Sequence, residues 1–458
     1  MSELISALSI ALDVTEGQPE GHAIRSCLIG MRIAEVINMP AEDRSALFYA
    51  LLLKDLGCSS NAAKMCWLFA ADDRRIKRDL KTVDWTKMAE CFRFSLSHVA
   101  PDANPFQRVM QMVAMAREGQ AGAKKLVETR CERGADIARM LQLPEGSAEA
   151  IRHLDEHWNG LGHPRGVRGE EIPLAARILC LAQTLEVFAT THGPAEALEV
   201  ARSRRGTWFD PQLVDALVAL EGDETFWNRV LSDDPRAELA HFEPQDSVQI
   251  ADEACLDRVS EAFATVVDAK SPWTFRHSQG VAEIAEGIAQ TLNFTPVQQR
   301  DIRRAGLLHD IGKLGVSNTI LDKPAKPTDE EFAQIRKHPD YSERILSRIE
   351  SFNRLSDVAS AHHERLDGRG YHRRKEGAEL ALESRILAVA DIFEALSAKR
   401  PYRGELAREK VLEIMARDVG TAIDPECYQA LLRWLDGKAV PSRVEAQLER
   451  MEQLLGEL

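Results

Sequence analysis

The sequence predicts an all-α protein built from two tandem helical halves. Apolar residues recur every three or four positions along most of the chain, and few stretches alternate with a period of two, which favours helices over strands. Matching sequence blocks on either side of an acidic segment indicate that the halves are copies of one another. At 458 residues, the chain has the length of two or three ordinary domains.

The C-terminal half shows the helical pattern clearly. Between 276 and 292 the inward face is expected to carry His277 and four apolar residues, Val281, Ile284, Ile288 and Leu292. The next helix is expected to begin at Thr295, with Pro296 in its first turn and Gln298 completing a capping box. Gly312 and Gly315 predict its end, because glycine commonly terminates helices. Another helix is predicted over 383–397.

Composition excludes several classes of protein. A net charge of −14 argues against a partner that is a nucleic acid polymer. No run of 18 apolar residues occurs, so no membrane span is expected, and the first residues lack the basic region and cleavage site of a signal peptide. Eight scattered cysteines without a CxxC pair predict free thiols in a reducing, cytoplasmic setting.

An acidic segment over 231–253, with Pro235 and Pro244, is predicted to be a linker. It separates a first domain, 1–230, from a second domain, 254–458. The two domains align in blocks, as the following pairs show: 22–55 faces 277–310 at an offset of 255, and 130–183 faces 338–391 at an offset of 208. The difference between the offsets, 47 residues, is an insertion in the first domain.

The second domain concentrates residue types that bind metal ions. They lie on separate predicted helices, and they are His277, His309, Asp310, His338, His362, His363 and Asp391. This set is too large for one tetrahedral zinc and suits two divalent ions with one bridging carboxylate. Nitrogen and oxygen ligands without thiolates favour iron or manganese, with nickel, cobalt or zinc as alternatives. Two such ions could clamp phosphoryl oxygens, which predicts phosphoester hydrolysis.

Two motifs resemble the HD-GYP family, a branch of the HD metal-dependent phosphohydrolases. They are HDIGK (309–313) and HHERLDGRGYH (362–372), within a similarity that covers about 257–430. The resemblance implies an all-α catalytic domain with a di- or trinuclear metal centre. Together with the internal repeat, it predicts two tandem HD-type domains, of which the second is catalytic and includes a C-terminal helix. It also implies hydrolysis of cyclic di-GMP, a bacterial signalling molecule, to pGpG or GMP by a metal-bound hydroxide.

The same resemblance implies roles for individual residues. The seven residues above would be the metal ligands, Asp310 would bridge the ions, and Lys313 would lie beside the hydroxide and the scissile phosphate. Substrate contacts would come from the signature loop and two basic positions, namely Gly368, Gly370, Tyr371, Arg400 and Arg403.

Two departures from the family pattern affect these expectations. His372 replaces the signature proline, so the loop is expected to be looser and the substrate preference stays open. A surface role for His372 is favoured over a ligand role, and Arg373 and Lys375 are expected to be solvated. Trp273 stands where members with three metals have a glutamate, so two ions are expected, which favours pGpG as the product.

The first domain is expected to be a degenerate, non-catalytic copy. The seven ligand positions there read His22, Lys54, Asp55, Arg130, Leu154, Asp155 and Gln183. Two of these match the ligand set, which is too few for a dinuclear centre. Lys54 and Arg130 are predicted to replace the metal ions by pairing with Asp55 and Asp155.

Cyclic di-GMP hydrolysis is therefore the first functional hypothesis. One alternative is an HD phosphohydrolase for another phosphoester, such as cyclic GMP-AMP or a nucleotide. The other is a signalling protein that binds a cyclic dinucleotide with low turnover. The apolar stripe of 442–458 could cover the core or join a homodimer, and covering the core is favoured.

Overall fold

The fold is all-α, as the sequence predicts. A computed structural model describes residues 2–244, 252–274, 276–399 and 404–437, and these ranges contain no β-strand. The predicted C-terminal helix over 442–458 lies outside the described residues, as does part of the predicted linker.

The first domain contains twelve α-helices within 2–244, several of them short. They are α1 (Ser2–Thr15), α2 (His22–Val36), α3 (Ala41–Leu53), α4 (Ala62–Phe69), α5 (Asp73–Leu80), α6 (Met88–His98), α7 (Pro105–Met140), α8 (Glu145–Arg152), α9 (Leu174–His192), α10 (Pro194–Ser203), α11 (Pro211–Ala216) and α12 (Glu224–Val230). Single 3₁₀ turns lie between them at Cys58–Asn61, Gly169–Glu171, Leu217–Leu220 and Pro235–His241. Gly119 has a non-helical backbone and kinks α7.

The described part of the second domain continues with ten α-helices. They are α13 (Glu253–Asp268), α14 (His277–Thr291), α15 (Pro296–Leu308), α16 (Asn318–Leu321), α17 (Asp329–Ile335), α18 (His338–Leu346), α19 (Asn353–Ser360), α20 (Leu382–Ser397), α21 (Arg408–Ala416) and α22 (Pro425–Gly437). Here the 3₁₀ turns are Ile311–Gly315, Glu350–Phe352 and Gly377–Glu379. The predicted capping box of α15 is confirmed, since Thr295 and Gln298 each bond the other's backbone N–H.

Equivalent contacts recur in the two domains at the offsets read from the sequence. Gly57 lies so close to α7 that an added Cβ would overlap the carbonyl oxygen of Arg130. Gly312 lies equally close to α18, where a Cβ would overlap the carbonyl oxygen of His338. Asp13 accepts a hydrogen bond from the backbone at the start of α2, and Asp268 accepts the equivalent bond at the start of α14. The sequence repeat is therefore also a repeat of tertiary contacts.

The first helix of each domain packs against both domains. Helix α1 contacts α2 and α3 of its own domain, and also the Ile311–Gly315 turn and α18 of the second. Helix α13 contacts α14 and α15, and also α7. A buried ion pair, Asp73 Oδ2 to Lys270 Nζ at 3.2 Å, joins the two domains beside these helices. One continuous apolar core consequently runs through both domains.

The insertion in the first domain forms α4 to α6 and part of α7. It has a small apolar core of its own, in which the Phe69 and Phe94 rings meet edge to face. Among the described helices, Leu174–His192 alone is long and apolar enough to cross a membrane, and most of it is buried inside the protein.

Candidate metal centre

The seven predicted ligand residues lie at the ends of helices or within one. His277 and His338 are the first residues of α14 and α18, and His309 directly follows α15. His362 and His363 come just after α19, and Asp391 lies within α20. The structure brings all seven side chains together, although they are spread over more than 100 positions of sequence.

Asp310 lies at the centre of this group and faces two sets of imidazoles. Its Oδ2 atom is 3.3 Å from Nε2 of His277 and 3.2 Å from Nε2 of His309. Its Oδ1 atom is 3.2 Å from Nε2 of His338 and 3.7 Å from Nε2 of His362. One carboxylate therefore serves both sets, as a bridging ligand would.

Asp391 and His363 complete the two sets. The Oδ1 atom of Asp391 is 3.4 Å from Nε2 of His277 and 3.8 Å from Nε2 of His309. Its Oδ2 atom is 3.8 Å from Nδ1 of His363, whose ring lies 4.1 Å from that of His362. The donor atoms thus form two adjacent groups, each large enough to hold a cation: His277, His309 and Asp391, and His338, His362 and His363.

Backbone carbonyls fix the orientation of three imidazoles. Nδ1 of His309 lies 2.7 Å from the carbonyl oxygen of Gly306, and Nδ1 of His338 lies 2.7 Å from that of Ile335. Nδ1 of His362 is 2.6 Å from a carbonyl in the same way. A carbonyl can only accept, so each Nδ1 carries the proton and each Nε2 presents a lone pair. Metal-binding histidines are commonly oriented in this manner.

Burial and mutual charge set the protonation states of the group. Burial lowers the pKa of His362, and it lowers the pKa of His363 to about 3, so both imidazoles are neutral at physiological pH. Burial alone would raise the pKa of Asp310, but His309 and Lys313 outweigh it and hold that pKa well below its usual range. Neutral imidazoles and ionised carboxylates are the forms that bind metal ions.

His277 differs from these two histidines, because its burial is outweighed by the carboxylates of Asp310, Asp391 and Glu394, which raise its pKa well above the usual range. Metal binding at His277 would therefore release a proton.

Several donor atoms in this group make no hydrogen bond. Nε2 of His277, Nε2 of His309 and Oδ1 of Asp310 are buried and unpartnered within the described residues. Buried polar atoms without partners destabilise a fold unless a ligand satisfies them. The residues therefore fit a pair of divalent cations with nitrogen and oxygen ligands.

Two of the residues predicted to act on the substrate, Lys313 and Tyr371, contact this group. Nζ of Lys313 is 2.6 Å from Oδ2 of Asp310 and is partly exposed. The Tyr371 ring lies 4.8 Å from the His363 ring. Gly370 permits this approach, because a Cβ there would overlap the backbone of Glu364. Arg400 and Arg403 lie outside the described residues.

The signature loop departs from two expectations. Nε2 of His372 is 3.1 Å from Glu343 Oε2, and the His372 side chain is only 17% exposed, so it is more covered than the expected surface role required. Arg373 pairs with Glu343 and Asp357, and Lys375 Nζ lies 3.2 Å from Asp357 Oδ1. Ion pairs to α18 and α19 therefore fix the loop where the family uses proline.

Sequence reasoning missed two contributors to the site. Glu394 bonds Nδ1 of His277, so it orients this imidazole as the carbonyls orient the others. The sequence repeat could have indicated Glu394, because a glutamate, Glu186, stands 208 positions earlier. Glu186 bonds His22 in the first domain in the same way. Arg336 stacks with its guanidinium carbon 4.8 Å from the Tyr371 ring centroid, and no sequence motif indicates this contact.

Charged side chains occupy the equivalent place in the first domain. Lys54 pairs with Asp55, and Arg130 pairs with Asp155, as the sequence predicts. The insertion adds a cation that the sequence did not indicate, Lys81, whose Nζ is 3.5 Å from Asp55 Oδ1. Nζ of Lys81 also lies 3.4 Å from Nε2 of His22, so ammonium groups surround the two ligands that this domain retains.

Comparison with known proteins agrees with this geometry. An HD domain family model matches residues 108–213 and 261–427. The 3'3'-cGAMP-specific phosphodiesterase 3 of Vibrio cholerae serotype O1 is 44% identical over 436 residues, which cover 95% of each chain. The response regulator RpfG of Xanthomonas campestris pv. campestris, a cyclic di-GMP phosphodiesterase, is 34% identical over 175 residues, 37% of this chain and 46% of that protein.

A solved structure extends the likeness to the fold. The crystal structure of a cyclic GMP-AMP-specific phosphodiesterase of V. cholerae, V-cGAP3, superposes with a TM-score of 0.65 at 39% identity. The match covers 96% of this chain and 98% of that one, so both halves take part. The chain therefore belongs to the HD domain family, as a tandem member of its HD-GYP branch with a degenerate first copy.

Proposed function

We propose that this protein is a metal-dependent phosphodiesterase that hydrolyses a cyclic GMP-AMP dinucleotide to a linear product. The observation that carries the proposal is the match along 95% of both chains to a relative named for that activity. The sequence alone favoured cyclic di-GMP and kept cyclic GMP-AMP as the alternative. The relatives named for cyclic di-GMP match a smaller share of this chain. The comparisons therefore support cyclic GMP-AMP over cyclic di-GMP as the substrate.

The ligand group would hold two divalent cations, with Asp310 between them. Such a pair would supply Lewis acidity toward a phosphoryl group and a nucleophile at neutral pH. The His277, His309 and Asp391 set would hold one ion, and the His338, His362 and His363 set would hold the other. Iron or manganese suits these ligands, because no thiolate is among them.

Residues of this chain would position the substrate beside the cations. The Lys313 ammonium, partly exposed next to Asp310, would bind an oxygen of the scissile phosphate and offset its negative charge. Burial raises the pKa of Tyr371 beyond its usual range, so the phenol stays neutral and its hydroxyl would donate a hydrogen bond to the substrate.

The first domain, 1–230, would support the second without catalysing, and 231–253 would link it to the catalytic domain, 254–458. The ion pairs of Lys54 and Arg130 occupy the positions of two ligands there. Lys54 and Arg130 already neutralise the carboxylates there, so about two metal ions per chain are expected, both in the second domain.

A substrate comparison tests the proposal. Protein purified without oxygen is analysed for metal content and then given cyclic GMP-AMP, cyclic di-GMP or bis(p-nitrophenyl) phosphate. The highest kcat/KM is expected for cyclic GMP-AMP. A higher kcat/KM for cyclic di-GMP would restore the first hypothesis. Binding without turnover, in protein that holds its metal, would instead favour the low-turnover signalling role.

A further inference from the structure

An exposed arginine lies at the edge of the candidate metal centre and is stacked between two aromatic rings. Arg336 directly follows α17, and its guanidinium carbon is 4.8 Å from the Tyr371 ring centroid and 5.2 Å from that of Phe332. The Tyr371 ring in turn lies 4.8 Å from the His363 ring. A continuous row of ring contacts therefore leads from a candidate ligand out to solvent.

The stack leaves the charge of Arg336 available. Within the described residues, its side chain forms no ion pair, whereas Arg365 and Arg373 nearby are paired with carboxylates. Stacking occupies the faces of a guanidinium and leaves its N–H edge free. A free N–H edge can bind a phosphate through two parallel hydrogen bonds.

The backbone that carries Arg336 is held by the metal centre itself. Nδ1 of His338, two positions later, donates to the carbonyl oxygen of Ile335, one position earlier. The guanidinium is therefore presented at a fixed place relative to the ligand group. The first domain keeps neither member of the stack, since Glu128 stands two positions before Arg130 and His163 replaces Tyr371.

We infer that Arg336 is a substrate-binding residue that determines specificity for cyclic dinucleotides. Lys313 lies against Asp310. Arg336 is farther out, because the Tyr371 ring lies between it and the candidate ligand His363. Arg336 therefore binds the second phosphate of the ring, while the scissile phosphate lies at the ligand group. The inference rests on the proposed function, because a diester with a single phosphate would not reach Arg336.

Two variants and a control test this role. Arg336→Ala removes the charge, Arg336→Lys keeps it without the planar fork, and Lys337→Ala makes the same charge change at the adjacent exposed residue. Steady-state kinetics are measured with cyclic GMP-AMP and with bis(p-nitrophenyl) phosphate, and metal content is measured for every protein.

For Arg336→Ala we expect KM for cyclic GMP-AMP to rise roughly 10- to 100-fold with little change in kcat, the loss typical of a charge-assisted hydrogen bond pair. Hydrolysis of bis(p-nitrophenyl) phosphate and metal content stay at wild-type values. Arg336→Lys recovers part of the affinity, and Lys337→Ala behaves as wild type.

Three results would overturn the inference while leaving the proposed function intact: unchanged KM in Arg336→Ala, equal losses on both substrates, or lowered metal content. A wild-type protein that hydrolyses bis(p-nitrophenyl) phosphate but no cyclic dinucleotide would overturn the proposed function, and the inference with it.

Discussion

At the scale of single residues, two equivalent aspartates show how the same position serves two purposes. Asp310 faces imidazoles on both of its oxygens. Asp55 faces the ammonium groups of Lys54 and Lys81. Both carboxylates are buried, and both have their pKa held below the usual range by nearby positive charge that outweighs burial. The neighbours therefore decide whether a buried carboxylate binds metal or stabilises a charge cluster.

Replacing Asp310 with alanine is expected to abolish hydrolysis and to strip metal from the protein. Asp310 presents one oxygen to each imidazole set, so both cation sites lose a ligand. We expect turnover to fall by at least roughly 1,000-fold, in the range seen when a central electrostatic group is removed. Elemental analysis and phosphodiesterase assays would measure this, and full metal occupancy in Asp310→Ala would contradict the bridging role.

Replacing Asp55 with alanine is expected to lower stability and leave the chemistry intact. The substitution leaves the buried Lys54 ammonium without this carboxylate, whereas Lys81 keeps Glu16 at 3.2 Å. Breaking such a pair costs about 3–5 kcal/mol of unfolding free energy. Denaturant unfolding would give the loss, and kcat at a temperature where the variant is folded should match wild type. Loss of activity with retained fold and metal would refute the division of labour.

His157 is expected to make the stability of the first domain depend on pH. Its ring stacks on that of Trp208 at 3.9 Å, and burial lowers its pKa to about 3. Below about pH 6.5, His157 becomes protonated in the unfolded chain but stays neutral in the folded chain. The first domain is therefore most stable above that pH, and its unfolding free energy falls as pH drops. The slope approaches about 1.4 kcal/mol per pH unit between these values.

A His157→Phe variant tests this dependence, because phenylalanine keeps the stack and cannot be protonated. Unfolding between pH 7 and pH 5 should lose less stability in this variant than in wild type. His241→Phe is the control, since that side chain is 70% exposed. Equal pH slopes in His157→Phe and wild type would show that His157 does not carry the effect.

At the scale of elements, a single close approach positions α18 against the turn that follows α15. Gly312 lies against the carbonyl of His338, and Ser342 of the same helix accepts a hydrogen bond from the Gly312 N–H through Oγ at 3.0 Å. Oγ of Ser342 also donates to the carbonyl oxygen of His309 at 2.8 Å. These contacts hold the His309 and His338 sides of the ligand group together.

Alanine at Gly312 is expected to push α18 away and to separate His338 from Asp310. Overpacking of this kind costs about 1–3 kcal/mol of stability. Displacement of the ligand should lower metal affinity or activity roughly 10- to 100-fold. Gly57→Ala is the matched control, because it makes the same overlap with Arg130 in the first domain. That variant should lose stability alone; equal loss of metal in both would contradict this explanation.

At the scale of the whole molecule, the two domains share a core and a set of ion pairs. The buried pair of Asp73 and Lys270 lies beside Asn318, whose backbone N–H donates to Asp73 at 3.0 Å. Arg344 and Arg348 reach Glu20 across the same boundary, but these side chains are well exposed. Because one core spans both domains, we expect a single cooperative unfolding transition.

Asp73→Ala is expected to destabilise the whole chain, because Lys270 is left buried without its carboxylate. The expected loss is about 3–5 kcal/mol of unfolding free energy. Glu20→Ala removes two exposed ion pairs across the same boundary and should cost about 1 kcal/mol or less. Thermal unfolding of both variants measures the difference. Two separate transitions in wild type would show that the domains fold independently.

Much of this organisation was available in the sequence. Helical periodicity predicted the all-α class, and the offsets of 255 and 208 predicted the equivalent contacts of the two domains. The candidate ligand residues were identified as a set, because several buried imidazoles and carboxylates in one place are costly without cations, and because their motifs resemble those of the HD-GYP family. The ion pairs of Lys54 and Arg130 were also predictable from the sequence. Each cation stands at a position that is a ligand in the second domain, and the repeat places Asp55 and Asp155 close to these positions.

Other features depended on the tertiary structure. Lys81 reaches the old site from the insertion, which has no counterpart in the second domain, so no repeat could indicate it. His372 pairs with Glu343, and Arg336 stacks on Tyr371, through contacts between separate elements. The sequence by itself determined which residue types are present and on which helix faces they lie, because periodicity is local. Only the packed structure decided which of them meet, because side-chain contacts depend on how helices approach one another.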